Sequence, residues 1–183
     1  MRCSYSEVED YLLSKYTSIY SNVDNFQLNV VLEQPVKEYR KFTQADIQPF
    51  MYRSTYLGNR GISEQVQRAF KVGFDERNQS IMMCWFDKDG EIINLKFRNI
   101  HDKKFYYTKG GQPIKNHVFG LNFVHKMNTN RVYIVESEID CMYLWSHKIP
   151  AIALGTASIS PKQLKLILNS PITELVIAVD NDD

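Results

Sequence analysis

Cysteine is scarce in this sequence. Its three residues, Cys3, Cys84 and Cys141, lie far apart, with no Cys-x-x-Cys pair. That spacing excludes a zinc ribbon and a disulfide framework, and it leaves ordinary reduced thiols of an intracellular protein as the expectation. Long apolar runs are also missing: none approaches the roughly 18 residues of a membrane span. The opening Met-Arg-Cys-Ser-Tyr runs into acidic residues rather than into an apolar signal segment. Eight glycines and six prolines in 183 residues are too few for a low-complexity scaffold, and no internal repeat is present. What is there suffices for a folded core. Apolar residues make up 44% of the chain and charged residues 23%, which excludes a disordered chain and suits one domain or two small ones.

The formal net charge of +1 hides an uneven distribution. Residues 1–50 carry five basic and seven acidic side chains, a net −2; residues 51–131 carry fourteen and seven, a net +7; residues 132–183 carry three and seven, a net −4. Basic surface attracts phosphate, whereas clustered carboxylates repel it unless cations intervene. A basic middle beside an acidic end fits a protein that holds nucleic acid on one part and divalent metal on the other. Chance asymmetry on a solvated surface gives the same totals.

Local patterns divide the chain at two places. Residues 1–42 form a segment of unclear role, with helical spacing at Val8, Leu12, Leu13 and Tyr16 and a short strand at Asn25 to Leu32. Residues 43–129 form the basic part. Helix is expected over 43–57 with a break at Pro49, then a Gly-rich turn, YLGNRGIS, then helix from Ser63 to Phe70 with Ser63 as N-cap. Ile81 to Phe86 and Glu91 to Arg98 flank the turn Asp87-Lys88-Asp89-Gly90 and read as an antiparallel hairpin. Lys103 to Lys109 is basic and aromatic; its Tyr106 and Tyr107 suit either sheet packing or base stacking. Residues 130–183 change grammar: strand at 131–135, helix to about His147 with Ser137 and Asp140 as a capping box, strand at 151–154, helix from Ser160-Pro161 with Leu164, Ile167 and Leu168 as its buried face, and strand at 175–179. Apolar strands alternating with helices are the pattern of a buried parallel α/β sheet.

Acidic residues follow two of these strands. Glu136 comes directly after RVYIV, and Asp180-Asn181-Asp182-Asp183 directly after LVIAV. Ligands of open α/β sheets bind beyond the carboxyl ends of strands. Carboxylates converging there repel one another unless a hard cation such as Mg²⁺ takes them as oxygen ligands. Glu136, Asp180 and Asp182 are therefore the candidate catalytic and metal-binding set, with Asp140, one helical turn past Glu136, as an outer ligand. Asp-x-Asp by itself also describes a solvated tail; the combination with Glu136 and with a middle strand ending in Gly155 carries the information.

That combination resembles the TOPRIM fold of topoisomerases, DnaG-type primases and some nucleases. VESEID (135–140), ALGTASIS (153–160) and AVDNDD (178–183) resemble the VEGxxD, SLGTAL and FDGDxAG segments of DnaG-type primases, with Ser137 in place of the usual Gly. Upstream, YLGNRGIS (56–63), KVGF (71–74), FDKDGEIINLKFR (86–98), KFYY (104–107) and VFGL (118–121) are similar, in order, to motifs of the primase RNA-polymerase core. The resemblance runs from about residue 52 to 183. It implies an α+β subdomain with an antiparallel hairpin, followed by a TOPRIM subdomain that stops after its Asp-x-Asp, as in a fragment or one part of a split primase of bacteriophage type.

The resemblance further implies a DNA-directed RNA polymerase of the primase kind, using Mg²⁺ or Mn²⁺, nucleoside triphosphates and a single-stranded DNA template, in the cytoplasm of a bacterial or phage-infected cell. A replicative helicase, and a separate chain completing the sheet or supplying a zinc ribbon, are the implied partners, and no membrane is. By motif position Arg60, Arg98 and Lys104 grip template and nucleotides; a further family lysine falls at Lys115 or Lys109. Two other readings keep the same residues: a TOPRIM nuclease, which activates water instead of a sugar hydroxyl, and a non-catalytic single-strand DNA-binding module.

Overall fold

A computed structural model describes residues 38–102, 104–156 and 158–179. The helix and strand expected within the first 37 residues, Lys103, and the Asp180–Asp183 segment lie outside the described residues.

The basic part opens with broken helix. Thr43 caps α1 (Gln44–Ile47) and Asp46 closes a capping box on it; Pro49 then tightens the chain into a 3₁₀ turn, Gln48–Phe50. A second short helix, α2 (Thr55–Gly58), and α3 (Glu64–Ala69) follow, capped by Ser54 and Ser63, whose hydroxyls accept from the Tyr56 and Val66 amides. The span 43–57 is thus helical in two pieces, but the break falls at residues 51–54, after the 3₁₀ turn that holds Pro49. Four antiparallel strands come next: β1 (Gly73–Asp75), β2 (Ser80–Phe86), β3 (Ile92–Asn99) and β4 (Phe105–Tyr107), in the order β1-β2-β3-β4. The β2–β3 pair is the expected hairpin. Asp87 organises its turn by accepting from the Asp89 and Glu91 amides.

A 3₁₀ turn at Ile114–Asn116 and α4 (Leu121–Met127) lead into the second layer. There β5 (Arg131–Val135), α5 (Glu138–Ser146), β6 (Ala151–Ala153), α6 (Pro161–Leu168) and β7 (Glu174–Ile177) build a parallel three-stranded sheet in the order β6-β5-β7. Strand periodicity assigns the faces. On β2, Met82, Cys84 and Phe86 pack with Leu95, Phe97, Phe42 and Ile47. Ile81, Met83 and Trp85 turn the other way and share a core with Phe119, Val135, Ile139, Cys141 and Met142 of the second layer. A third cluster, around Val132, Ile134, Ile152 and Ile167, lies on the far side of the parallel sheet. β2 is buried along its whole length because both of its faces are covered.

Two sequence expectations need correction. The buried face of α6 is Gln163 and Ile167, whereas Leu164 and Leu168 are exposed. Gln163 goes inside because its amide donates to the carbonyls of His117 (2.8 Å) and Leu154 (2.9 Å), fastening α6 to the loop before α4 and to the end of β6. The third parallel strand is apolar but not buried: Ile177 is 74% exposed, and Leu175 and Val179 are exposed as well. Among the described residues it is an edge strand, paired through β5 alone. Among the described residues no helix is long and apolar enough to cross a membrane.

Candidate nucleic-acid and metal site

Strand order decides where the acidic residues emerge. β7 lies directly beside β5 and parallel to it, with Ile134 opposite Ile177 and the Ala178 amide donating to the Ile134 carbonyl at 2.9 Å. Continuing that register sets Val179 beside Glu136. Glu136 is half-buried, and its carboxylate makes no hydrogen bond or ion pair among the described residues. Asp140 is exposed one turn further along α5 and accepts from the Ser137 hydroxyl at 2.5 Å. Ser137 does cap α5, accepting from the Asp140 amide at 3.3 Å, but Asp140 answers the hydroxyl rather than the backbone, so the expected capping box is only half made. Asp180 and Asp182 lie outside the described residues, and the described residues contain no group of three metal-ligating side chains. Glu136 nevertheless suits a hard cation: it is an oxygen donor at a strand end with no protein cation already holding it.

Two residues past Glu136 lies a buried polar junction that motif reading did not single out. Lys96 of β3 donates to Glu138 Oε1 at 2.7 Å, with side chains only 8% and 3% exposed. The Trp85 indole N–H donates to the same oxygen at 3.1 Å. Gly155 closes over this junction. Its φ of +69° and an added Cβ lying 2.8 Å from the Trp85 ring would both oppose a side chain there. Its amide in turn holds the Glu136 carbonyl at 2.9 Å. The signal for Lys96 was in the hairpin: Asn94, Lys96 and Arg98 share the strand face that apolar Leu95 and Phe97 leave.

The basic residues are distributed over that face and its margins. Arg98 is half-buried on β3 opposite Phe105, and Lys96 is opposite Tyr107. Lys96 Nζ stands 5.0 Å from the centre of the Phe105 ring. Burial, and secondarily the Glu138 charge, push the Tyr107 hydroxyl above its ordinary pKa. Lys104 is exposed and pairs with Asp102 at 2.8 Å; Lys109 is exposed just past β4. Tyr106 faces the other way, stacked on Phe97 with ring centres 4.8 Å apart, and its hydroxyl donates to Asp75. Burial raises the Asp75 carboxyl, but donors from the Asn78 side chain and backbone, from Tyr106 and from Arg77 outweigh it and hold the group below the usual carboxylate range. Tyr106 is therefore anchored on the opposite face by its stacking and its hydrogen bond, although it is as exposed as Tyr107, 41% against 37%.

Arg60 and Lys115 belong to other elements. Arg60 is exposed on the loop after α2, its guanidinium 4.8 Å above the Tyr56 ring. Lys115 is exposed on the 3₁₀ turn whose carbonyl receives the Ser160 hydroxyl. Sheet register thus joins Lys96 and Arg98 to the aromatic strand, and Lys104 and Lys109 flank that strand in sequence.

Comparison with known proteins agrees with this architecture. A family profile described as Toprim-like matches residues 133–183. The chain is similar to the zinc-binding and RNA-polymerase domains of the Aquifex aeolicus primase (20% identity, TM-score 0.59, 70% of this chain and 42% of that one). It is similar to the Escherichia coli primase catalytic core (19%, TM-score 0.61, 70% and 55%). It also resembles a chain in the structure of bacteriophage T7 lagging-strand DNA polymerase interacting with primase domains (20%, TM-score 0.56, 72% and 60%). No curated protein sequence matches. The chain spans about half the length of these structures. With an antiparallel basic sheet packed on a parallel β5-α5-β6-α6-β7 layer, the chain has the fold of a DnaG-type primase catalytic core that includes a Toprim-like segment.

Proposed function

We propose that this chain is the catalytic core of a DNA primase, joining nucleotides on a single-stranded DNA template. The observation that supports the reading best is the pairing of β5 with β7. It sends Glu136 and the chain leading to Asp180-x-Asp182 out at one end of one sheet, next to a sheet face bearing Lys96 and Arg98.

In the reaction the ribose 3′-oxygen forms a bond to the α-phosphorus of the incoming triphosphate. The bond to pyrophosphate breaks, and the hydroxyl proton leaves to a base. Glu136 takes that proton or ligates metal, and Asp180 and Asp182 supply further oxygen ligands with Asp140 at the margin. When bound, Mg²⁺ or Mn²⁺ lowers the pKa of the attacking hydroxyl and neutralises charge at phosphorus. Arg98, Arg60 and Lys104, with Lys109 and Lys115, hold phosphates of template and nucleotide, because guanidinium and ammonium groups donate strong charge-assisted hydrogen bonds. A replicative helicase and a chain supplying a zinc ribbon are partners consistent with this role.

The test is Asp180→Ala in a labelled-nucleotide assay on single-stranded DNA. Polymerisation should vanish while oligonucleotide affinity stays within about twofold, since a carboxylate that only ligates metal contributes nothing to phosphate contacts. Undiminished polymerisation removes Asp180 from the site. Plasmid cleavage that needs metal but no nucleotide would replace the primase reading with a nuclease.

A further inference from the structure

Phe105 and Tyr107 are unusual for a short strand in a sheet whose other strands are mostly covered. They are 59% and 37% exposed, on the same face of β4, with ring centres 5.8 Å apart and planes at 69°. That face also carries Lys96 and Arg98 through the cross-strand pairs Lys96–Tyr107 and Arg98–Phe105. The Lys96 ammonium stands 5.0 Å from the centre of the Phe105 ring, which remains more than half exposed. Sequence places Lys104 before the pair and Lys109 after it, both exposed. Aromatic faces bracketed by cations are the chemistry of single-strand binding: bases stack on the rings while the backbone follows the positive charge.

We infer that Phe105 and Tyr107 form a stacking platform for successive bases of a single-stranded polynucleotide, with Arg98, Lys104 and Lys109 as its phosphate contacts. The inference rests on the primase reading and adds to it a binding surface for the template's bases. A template strand fits better than a lone nucleotide because the two rings and their cations extend along the strand, Arg98 across from Phe105 and Lys109 two residues past Tyr107. Tyr106 is the internal contrast: same strand and same residue type as Tyr107, but stacked on Phe97 and hydrogen-bonded to Asp75 on the opposite face.

Anisotropy titration of the full chain with fluorescein-labelled oligo(dT), and with the same backbone made entirely of abasic sites, tests this. Phe105→Ala/Tyr107→Ala should weaken oligo(dT) binding roughly five- to a hundredfold per base lost. The slope of log affinity against log salt should stay unchanged, because no phosphate contact is removed. Both proteins should bind the abasic strand equally, and Phe105→Trp should retain oligo(dT) binding with quenching of the new indole. Tyr106→Phe should leave affinity unaltered. Equal oligo(dT) affinity of wild type and the double alanine variant overturns the platform and leaves the primase reading intact. Failure of the wild type to bind oligo(dT) at all overturns both. A variant that binds oligo(dT) normally but loses self-association in sedimentation would mean that the strip is an interface between copies, which also overturns the inference. Far-UV circular dichroism of the double variant guards against misreading an unfolded chain as a binding defect.

Discussion

A thiol held where it cannot ionise is chemically quiet, and Cys84 is such a group. It sits in β2 with its S–H directed at the Lys71 carbonyl (3.3 Å), and burial pushes its pKa up to about 12 despite the nearby Lys71 charge. Cys141, fully enclosed, is raised well above its ordinary value for the same reason. In a Cys3→Ser background neither thiol should react with an aromatic disulfide reagent at pH 8 until the chain unfolds, so the labelling rate should track unfolding; immediate labelling would contradict the burial. The sign of the linked pH effect follows. Below the ordinary thiol value of 9.0 both states hold the proton and Cys84's contribution to stability is complete. As pH climbs from there toward 12 only the unfolded chain releases it, and stability falls by at most about 1.4 kcal/mol per pH unit for this group. Urea unfolding between pH 8 and pH 10 should therefore show a steeper loss in wild type than in Cys84→Ala. At this scale sequence reading failed for α6, where apolar spacing nominated Leu164 and Leu168. It could not foresee that two backbone carbonyls, from His117 and Leu154, would draw Gln163 inside.

Elements meet at the start of α5, where the antiparallel sheet grips the Toprim-like layer through one carboxylate. Glu138 is the first residue of that helix, favourably placed against the positive end of its dipole, and it receives both Lys96 and Trp85. The pair is buried, so removing one partner strands a charge at a cost of about 3–5 kcal/mol, whereas replacing both by apolar side chains costs far less. Lys96→Met should lower the unfolding free energy from urea titration by that much without changing the slope, and Lys96→Met/Glu138→Leu should recover most of the loss. If the double variant is as unstable as the single, the junction is held by packing and not by charge. The elements themselves were largely legible: the β2–β3 hairpin and the β5-α5-β6-α6-β7 series follow from periodicity, caps and turn residues. The Lys96–Glu138 contact was not, because it joins residues 42 positions apart, and only the packing of two layers brings them together. β7 misled for a related reason. An apolar strand implies a cover, yet pattern alone cannot tell a central strand from an edge.

Over the whole molecule the charge asymmetry becomes a spatial one. The +7 of residues 51–131 includes Lys96 and Arg98 on one sheet face and Lys104 and Lys109 around its last strand, while residues 132–183, at −4, supply the strand ends bearing Glu136. If that face carries a strand of nucleic acid, each cation that meets a phosphate releases condensed counterions, and the salt dependence of binding counts such contacts. Arg98 is half-buried and lies opposite Phe105 in the sheet register, on the same face as the exposed rings. Arg98→Ala should weaken oligo(dT) binding and reduce the slope of log affinity against log salt by about 0.7, the value for one phosphate on a single strand. Lys165→Ala, which removes the same charge from an exposed position on α6, should leave the slope unchanged. A slope that moves equally in both variants would mean that binding senses total charge rather than this face. A slope that moves in neither would take Arg98 out of the phosphate path and leave the aromatic strand without its inner cation.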